Sequence, residues 1–451
     1  MKIASLLPIT NIYVSLSYYY FTFTHGRFTL KTHERYRPLT PSIVPRIGDL
    51  LKNPDTREGD ALLDAIFQAV VKDAVETSAS DLHLDPGKPH SCLRMRVDGA
   101  LHDVCVIPAD LSTRMVNHFK VTANLDPGPT IVPDEGWADY QLEARTIHLR
   151  VSCTPTISGD KLSIRMFDES QIFGGITELG MKESQSDLIQ EWLGNIQGLF
   201  LVVGAVGSGK STTLYALLNQ LRKRARSVVS IEDPVEYRIE GVNQVQISPD
   251  NGFGFADALK SVMRLDPDDI MLGEIRDPLS AAAAIDAAAT GKVRLSTLHS
   301  RDPIGAVISL RNYGVKDHEI AALLETVVAQ RLVRKLCDAC KKESPVSDSD
   351  KAWLKSIGRK APKTLHAPHP DGCEACGGVG YKGRTEIFEV WRLRERDKEL
   401  LIQHPAEQVL RQQIREWELP SLFDASWDLV TSGTTSLEEI RPLSGLVAGG
   451  N

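Results

Sequence analysis

The apolar positions of this chain change their period along its length, and the change separates two kinds of architecture. In residues 61–76, ALLDAIFQAVVKDAVE, apolar side chains fall at 62, 63, 66, 67, 70, 71 and 75. That is the three-to-four spacing of one helix face. SASDLHLDP follows as a short strand stopped by proline. Residues 93–97 then alternate, with Leu93, Met95 and Val97 on one side and Arg94 and Arg96 on the other, the period of a half-buried strand. Asp98-Gly99 marks a hairpin turn, and 147–152 and 162–167 alternate in the same way. Residues 46–168 therefore read as a small α+β domain. The glycine-bearing stretch 169–180 reads as a hinge or linker.

From residue 186 the alternation stops. LFLVV (199–203), SVVSI (227–231), IML (270–272) and VRLST (293–297) are nearly continuous apolar runs separated by helical stretches. Strands of that kind are buried on both faces, in a parallel sheet covered by helices. The helix 279–290 is followed by Gly291, a normal residue for a helix C-terminus. The pattern predicts an α/β domain over 181–335, a cysteine-bearing subdomain over 336–390 and a helical region over 391–451. No internal repeat and no long low-complexity segment is present.

Composition narrows the function. Of 451 residues, 42% are hydrophobic and 25% charged, and the formal net charge is −7. The balance is that of a globular domain, and the acidic surplus argues against DNA or RNA as the main partner. Residues 3–24 carry no charge, but Pro8, Asn11 and many Ser and Thr dilute the run below the ~20 predominantly apolar residues of a spanning helix. Residues 1–45 read as a poorly ordered extension.

The chemistry starts where the first apolar strand ends. Gly204-Ala205-Val206-Gly207-Ser208-Gly209-Lys210-Ser211-Thr212 lies between a buried strand and a helix. Glycines let backbone N–H groups turn inward around a polyphosphate, and the helix N-terminus adds partial positive charge. Lys210 is placed to reach the terminal phosphates and Ser211 to offer its hydroxyl to Mg²⁺. The motif predicts a nucleoside triphosphate site. A second strand, Ile270–Leu272 in DPDDIMLGEIRD, delivers Glu274 at its C-terminal end, where ligands of parallel sheets bind. Glu274 is the candidate for polarising the attacking water. His299, in STLHS, either joins that water network or is a packed loop histidine. Glu232 and Asp233, in IEDPVEY, either reach Mg²⁺ through water or are cap and loop carboxylates.

Four of the seven cysteines form two C-x-x-C knuckles, Cys337/Cys340 and Cys373/Cys376. Two such turns complete a tetrahedron of thiolates for Zn²⁺ with no open position, so the predicted metal is structural. Their 32-residue separation exceeds the usual ribbon spacing. His366 and His369, between the knuckles, read as spectators.

In order, these motifs resemble the assembly ATPases of type II secretion systems and type IV pili, the general secretory pathway protein E family. ASDLHLDP (79–86) and LRMRVDGAL (93–101) are similar to the family's small subdomain. GAVGSGKSTTLYALL looks like its Walker A, IEDPVEY its Asp box, RLDPDDIMLGEIRD its Walker B and ATGKVRLSTLHSRDP its His box. QRLVRKLC and GYKGRTEIFEV continue the likeness towards the C-terminus.

The resemblance implies a RecA-like P-loop NTPase core hinged to the small α+β domain. It also implies a homo-hexameric ring, ATP and Mg²⁺ as ligands, and a polytopic inner-membrane platform protein as partner. The location implied is cytoplasmic, peripheral to the inner membrane. Two arginines of the family's small domain contribute to the nucleotide site, and Arg150 and Arg165 stand at their positions; on their own they read as a solvated strand face. The family's assembly branch carries the tetracysteine site, which its retraction branch generally lacks.

There are departures. Ala205 and Val206 replace Pro and Thr, His299-Ser300-Arg301-Asp302 stands for HTND, and LDPGPTIVPDEGWA (125–138) stands for a more basic stretch. The family's N-terminal docking domain has no counterpart in the first 45 residues, so membrane recruitment is expected to differ. The expectation is an ATPase that drives assembly. The alternatives are a retraction or DNA-uptake motor, and, in another class, a zinc-containing binding protein switched by nucleotide.

Overall fold

A computed structural model describes residues 19–24, 27–32, 60–143, 145–168, 175–417 and 419–446. Strands β1 (Tyr19–Thr24) and β2 (Arg27–Thr32) pair antiparallel; the rest of the extension lies outside the described residues. Beyond it the chain forms two compact units, the second beginning at Phe167 and also taking up Glu143–Thr146.

The first unit is a six-stranded sheet in the order β5-β4-β3-β8-β7-β6. Its strands are β3 (Ala79–Asp85), β4 (His90–Val97), β5 (Ala100–Pro108), β6 (Asp134–Leu142), β7 (Arg145–Thr156) and β8 (Gly159–Asp168). The alternation read from the sequence is the alternation of burial: Leu93, Met95 and Val97 face the core. Arg94, on the other face, bonds Asp85 at 2.9 Å and Asp103 at 2.7 Å. The helices Asp60–Glu76 and Ala109–Thr122 supply Ile66, Val70 and Phe119 to the same core, where Phe67 packs 5.0 Å from Phe119.

Strand β6 has no apolar signal in the sequence because its inward positions are Gly136, Ala138, Tyr140 and Leu142. Glycine is required there, since a Cβ on Gly136 would lie 2.2 Å from the carbonyl oxygen of Ala123. The loop before it is pinned by buried Lys120, whose ammonium donates to Gly128 O and to Thr130 Oγ1 at 3.0 Å.

The second unit is built on a seven-stranded sheet in the order β11-β10-β12-β13-β9-β14-β17. Its strands are β9 (Leu199–Val203), β10 (Val228–Glu232), β11 (Asn243–Gln246), β12 (Asp269–Leu272), β13 (Val293–Leu298), β14 (Leu324–Leu336) and β17 (Tyr381–Arg392); β15 (Lys342–Pro345) and β16 (Thr364–Ala367) form a separate hairpin. All its neighbours pair parallel except β14 with β17. Both faces are covered, as continuous apolar strands require. Leu199, Leu201 and Val203 face one core with the helices Phe255–Val262 and Pro278–Ala289. Phe200 and Val202 face the other, with Glu183–Gly194 and Lys210–Leu221.

Two findings differ from the sequence reading. Strand β17 belongs to the main sheet and not to a subdomain running to residue 390, so the cysteine knuckles are an insertion between the last two strands. The C-terminal helices are not a separate region either: Leu401, Leu410, Ile414 and Leu422 complete the core beneath the sheet. Half of the supposed hinge, residues 169–174, lies outside the described residues; in its other half Ile176 and Leu179 are buried in the second unit.

Trp192 is the largest side chain of that second core, 4.8 Å from Phe200, with its indole N–H on Gln197 O at 3.0 Å. Trp192→Ala is expected to cost about 3–5 kcal/mol of stability, read as a lower denaturant midpoint.

Candidate functional site

The phosphate loop leaves the C-terminal end of β9 and runs into the helix Lys210–Leu221. Its glycines are dictated by space. A Cβ on Gly204 would lie 2.5 Å from the carbonyl oxygen of Gln330 and from Ser208 Oγ. Gly209 has φ +86° and would meet Gln330 Nε2 at 2.6 Å, a backbone shape and an approach that only glycine tolerates. No side chain caps the helix that follows, so its first N–H groups are open to an anion. Ser211 is exposed beside them. A loop seated tightly on its floor at Gly204 and Gly209, at an uncapped helix start, fits a polyphosphate. The Lys210 ammonium donates to Gly204 O and Ala205 O, each at 3.1 Å. Burial lowers its pKa, the nearby charge of Glu274 raises it and that of Arg331 lowers it further.

Glu274 sits one residue past Gly273, directly after β12, and its backbone is tied from both sides. Gly273 N donates to Ile231 O at 2.7 Å, and the Thr297 hydroxyl donates to Gly273 O at 2.7 Å. Ile275 N continues the tie to Thr297 O at 2.9 Å. Glu274 Oε1 then lies 3.1 Å from His299 Nε2, both partly exposed. Two residues that the sequence offered separately thus lie side by side across adjacent strand ends, within ion-pair distance.

The Glu232 carboxylate faces inward, 4% exposed, and accepts from the Tyr215 hydroxyl, from Ser230 Oγ at 2.5 Å and from Gln244 Nε2 at 3.1 Å. Burial raises its pKa against these donors. The residue ties the helix after the phosphate loop to β10. Asp233, next to it, pairs with Arg276 at 3.1 Å.

Arg150 and Arg165 belong to the first unit, on β7 and β8. Arg150 bonds Glu135 through Nη2 at 2.6 Å and Nε at 3.2 Å, and Arg165 bonds Asp81 at 3.2 Å. Each has a carboxylate partner on its own sheet. Burial raises the pKa of Glu135, but the hydrogen bonds from Arg150 and Ser152 bring it below the usual carboxylate range.

The sulfurs of Cys337, Cys340, Cys373 and Cys376 all lie within 4.8 Å of one another. Cys337–Cys373, Cys340–Cys376 and Cys373–Cys376 are each separated by 3.8 Å. Tetrahedral zinc with bonds of about 2.3 Å sets its sulfurs about 3.8 Å apart, so the four residues fit that ion. Burial raises the Cys376 thiol, but backbone N–H groups of Cys373 and Gly380, each 3.2 Å from the sulfur, help bring it down to about 6. His366 and His369 are not part of the cluster.

Sequence reasoning missed Gln330 and Tyr215, the buried polar residues beneath the loop. Gln330 carries a signal, a glutamine interrupting the apolar strand VVAQRLV; Tyr215 carries none, since a tyrosine on a helix core face reads as packing.

Among the described residues no helix is long and apolar enough to cross a membrane. The family model "Type II/IV secretion system protein" matches residues 56–441. The type II secretion system ATPase E of Vibrio cholerae is 36% identical over 397 residues, covering 88% of this chain and 77% of that protein. The type IV pilus assembly ATPase PilB of Acinetobacter baylyi is 35% identical, covering 89% and 70%. Among solved structures, the pilus retraction motor PilT superposes with TM-score 0.56 at 20% identity, covering 85% of this chain and 97% of that one. The ATPase DotB of Legionella pneumophila gives 0.60 at 17%, covering 84% and 95%. These likenesses bear on the fold alone, and they agree with the expected P-loop core preceded by an α+β domain. A family match running from before the first helix of the small unit to the last helices of the large one is a match of the whole design: the chain belongs to the type II/IV secretion system protein family.

Proposed function

We propose that this chain is a hexameric ATPase that powers assembly of a type II secretion pseudopilus or a type IV pilus, working at the cytoplasmic face of an inner-membrane platform protein. One observation carries the catalytic part of the reading. The adjacent parallel strands β12, β13 and β9 deliver Glu274, His299 and the loop with Lys210 at the same edge of the sheet, with Glu274 Oε1 and His299 Nε2 3.1 Å apart.

The roles follow from chemistry. Loop amides and the helix start bind phosphate oxygens, and the Lys210 ammonium exchanges its loop carbonyls for them. Ser211 and Thr212 lie at the head of the helix, and the Ser211 hydroxyl is the ligand offered to Mg²⁺, which when bound neutralises phosphate charge. Glu274 orients the attacking water and takes its proton. His299 holds that carboxylate in one rotamer. Arg150 and Arg165 add guanidinium charge to a nucleotide site by exchanging Glu135 and Asp81 for phosphate oxygens. The segment 169–180 acts as the hinge between the units. Cys337, Cys340, Cys373 and Cys376 hold Zn²⁺ as a structural brace with no position left for a reactant. The names of the curated relatives support assembly over retraction.

Lys210→Ala is expected to abolish saturable binding of a fluorescent ATP analogue. Glu274→Gln should bind that analogue with unchanged affinity while steady-state turnover drops at least about 100-fold; turnover at the original rate would remove Glu274 from its role. Metal analysis of the purified chain is expected to find about one zinc, and Cys373→Ser should lose it and expose the 337–380 insertion to limited proteolysis. A metal-free chain purified from zinc-replete cells would refute the zinc assignment.

A further inference from the structure

We propose that Gln330 is a positioning residue for nucleotide binding, its buried carboxamide holding the far end of the phosphate loop and the helix start in the shape that receives the polyphosphate. The proposal rests on the nucleotide-binding reading above. It starts from register. Ala329 of β14 pairs with Val203, the last residue of β9, so the next residue of β14 falls beside Gly204, where the loop begins.

Gln330 is 1% exposed and meets the loop at three points. Its backbone carbonyl oxygen lies 2.5 Å from where a Cβ on Gly204 would stand. Its Oε1 accepts from the hydroxyl of Thr213 at 2.6 Å, and Thr213 N donates to Gly209 O at 3.2 Å in the first turn of the helix. Its Nε2 faces the loop's far end, 2.6 Å from the Cβ position of Gly209. One residue thus meets the entry glycine with its backbone carbonyl, and the exit glycine and the first turn of the helix with its side chain.

The second observation is what the carboxamide leaves undone. Among the described residues, Gln330 Nε2 is buried without a hydrogen-bond partner, and so is Ser208 Oγ. Ser208 belongs to the same turn, its hydroxyl 2.5 Å from the Cβ position of Gly204. Buried polar groups rarely stay unpaired, and an orphaned donor and an orphaned hydroxyl beneath one loop are complementary. In the proposal, phosphate binding draws the loop down onto the amide, and Gln330 Nε2 donates to Ser208 Oγ. The nucleotide thereby completes a bond that the protein alone leaves open. Filling the space needs only an apolar side chain of this size. Bonding Thr213 and Ser208 together needs an acceptor and a donor on one planar group, which glutamine supplies.

The test compares the full-length protein with Gln330→Met, which keeps the volume and loses both polar ends, and with Ser208→Ala. Each is melted without nucleotide and titrated with a fluorescent ATP analogue and Mg²⁺, and turnover is measured. The expected result is that both variants melt within a few degrees of the parent while affinity weakens about tenfold. KM should rise by a similar factor and kcat should move less. The double variant should bind no more weakly than the worse single one, because both remove the same bond. Binding within twofold of the parent for Ser208→Ala, or additive losses in the double variant, would overturn the proposal. If Gln330→Met fails to fold, Ser208→Ala alone decides by the same criterion. A parent protein that binds no nucleotide would overturn the nucleotide reading as well, whereas a binding parent with indifferent variants overturns only the role of Gln330.

Discussion

The site depends on the side-by-side hydrogen bonding of β12, β13 and β9. Leu295 to Leu298 pair with Phe200 to Val203 without interruption, and Leu272 pairs with Ser296. Parallel strands in register end together, and whatever follows them is delivered to one edge. The phosphate loop, Glu274 and His299 are each only a few residues past such an end. Neither the loop nor the acid is long enough to find the other by flexibility. Apolar side chains on both faces fix the register: a slip of one residue would exchange the two faces of β9, putting Phe200 and Val202 where Leu199, Leu201 and Val203 now pack.

The charged groups at the ends of these strands are held by different means. Glu274 is held by its backbone and its histidine. Asp269, at the opposite end of β12, is held by the fork of Arg226, at 2.6 and 3.1 Å. Asp302, after β13, caps the helix Pro303–Asn312 through Gly305 N at 2.7 Å and takes Arg411 from the C-terminal helices at 2.9 Å. The C-terminal region therefore reaches the segment that carries His299 through a charge pair as well as through the core.

Much of this was legible in the sequence, and the limits have physical causes. The first-unit strands showed because Leu93, Met95 and Val97 alternate with arginines, and the central strands of the second showed because they are apolar throughout. The phosphate loop and the knuckles were readable because glycine and cysteine spacing is set by local geometry. Strand β6 was hidden because Gly136 and Ala138 are its first inward residues while Trp137 stands on the exposed face, and β14 and β17 were hidden because Gln330, Arg331 and Glu386 break their apolar runs. The partners of Glu232 were out of view because its sequence neighbourhood does not reveal that Tyr215 and Gln244 join Ser230 around it. The carboxylates opposite Arg150 and Arg165 were equally out of view, since Glu135 and Asp81 are distant in sequence and adjacent only across the sheet.

Strand β14 gathers two of these features on one element. It runs for thirteen residues, from Leu324 to Leu336, with Gln330 at its middle and Cys337 immediately after its end. An extended chain rises about 3.3 Å per residue, so the floor of the phosphate loop and the first thiol of the cysteine cluster stand on one strand about 23 Å apart. Strand β9 pairs with it only as far as Ala329, and beyond that β17 alone accompanies it, with a shift of register between Arg334 and Leu336. The four-cysteine cluster and the floor of the glycine-rich loop are thus joined through one strand, so a displacement of the cysteine insertion has a short covalent path to that loop.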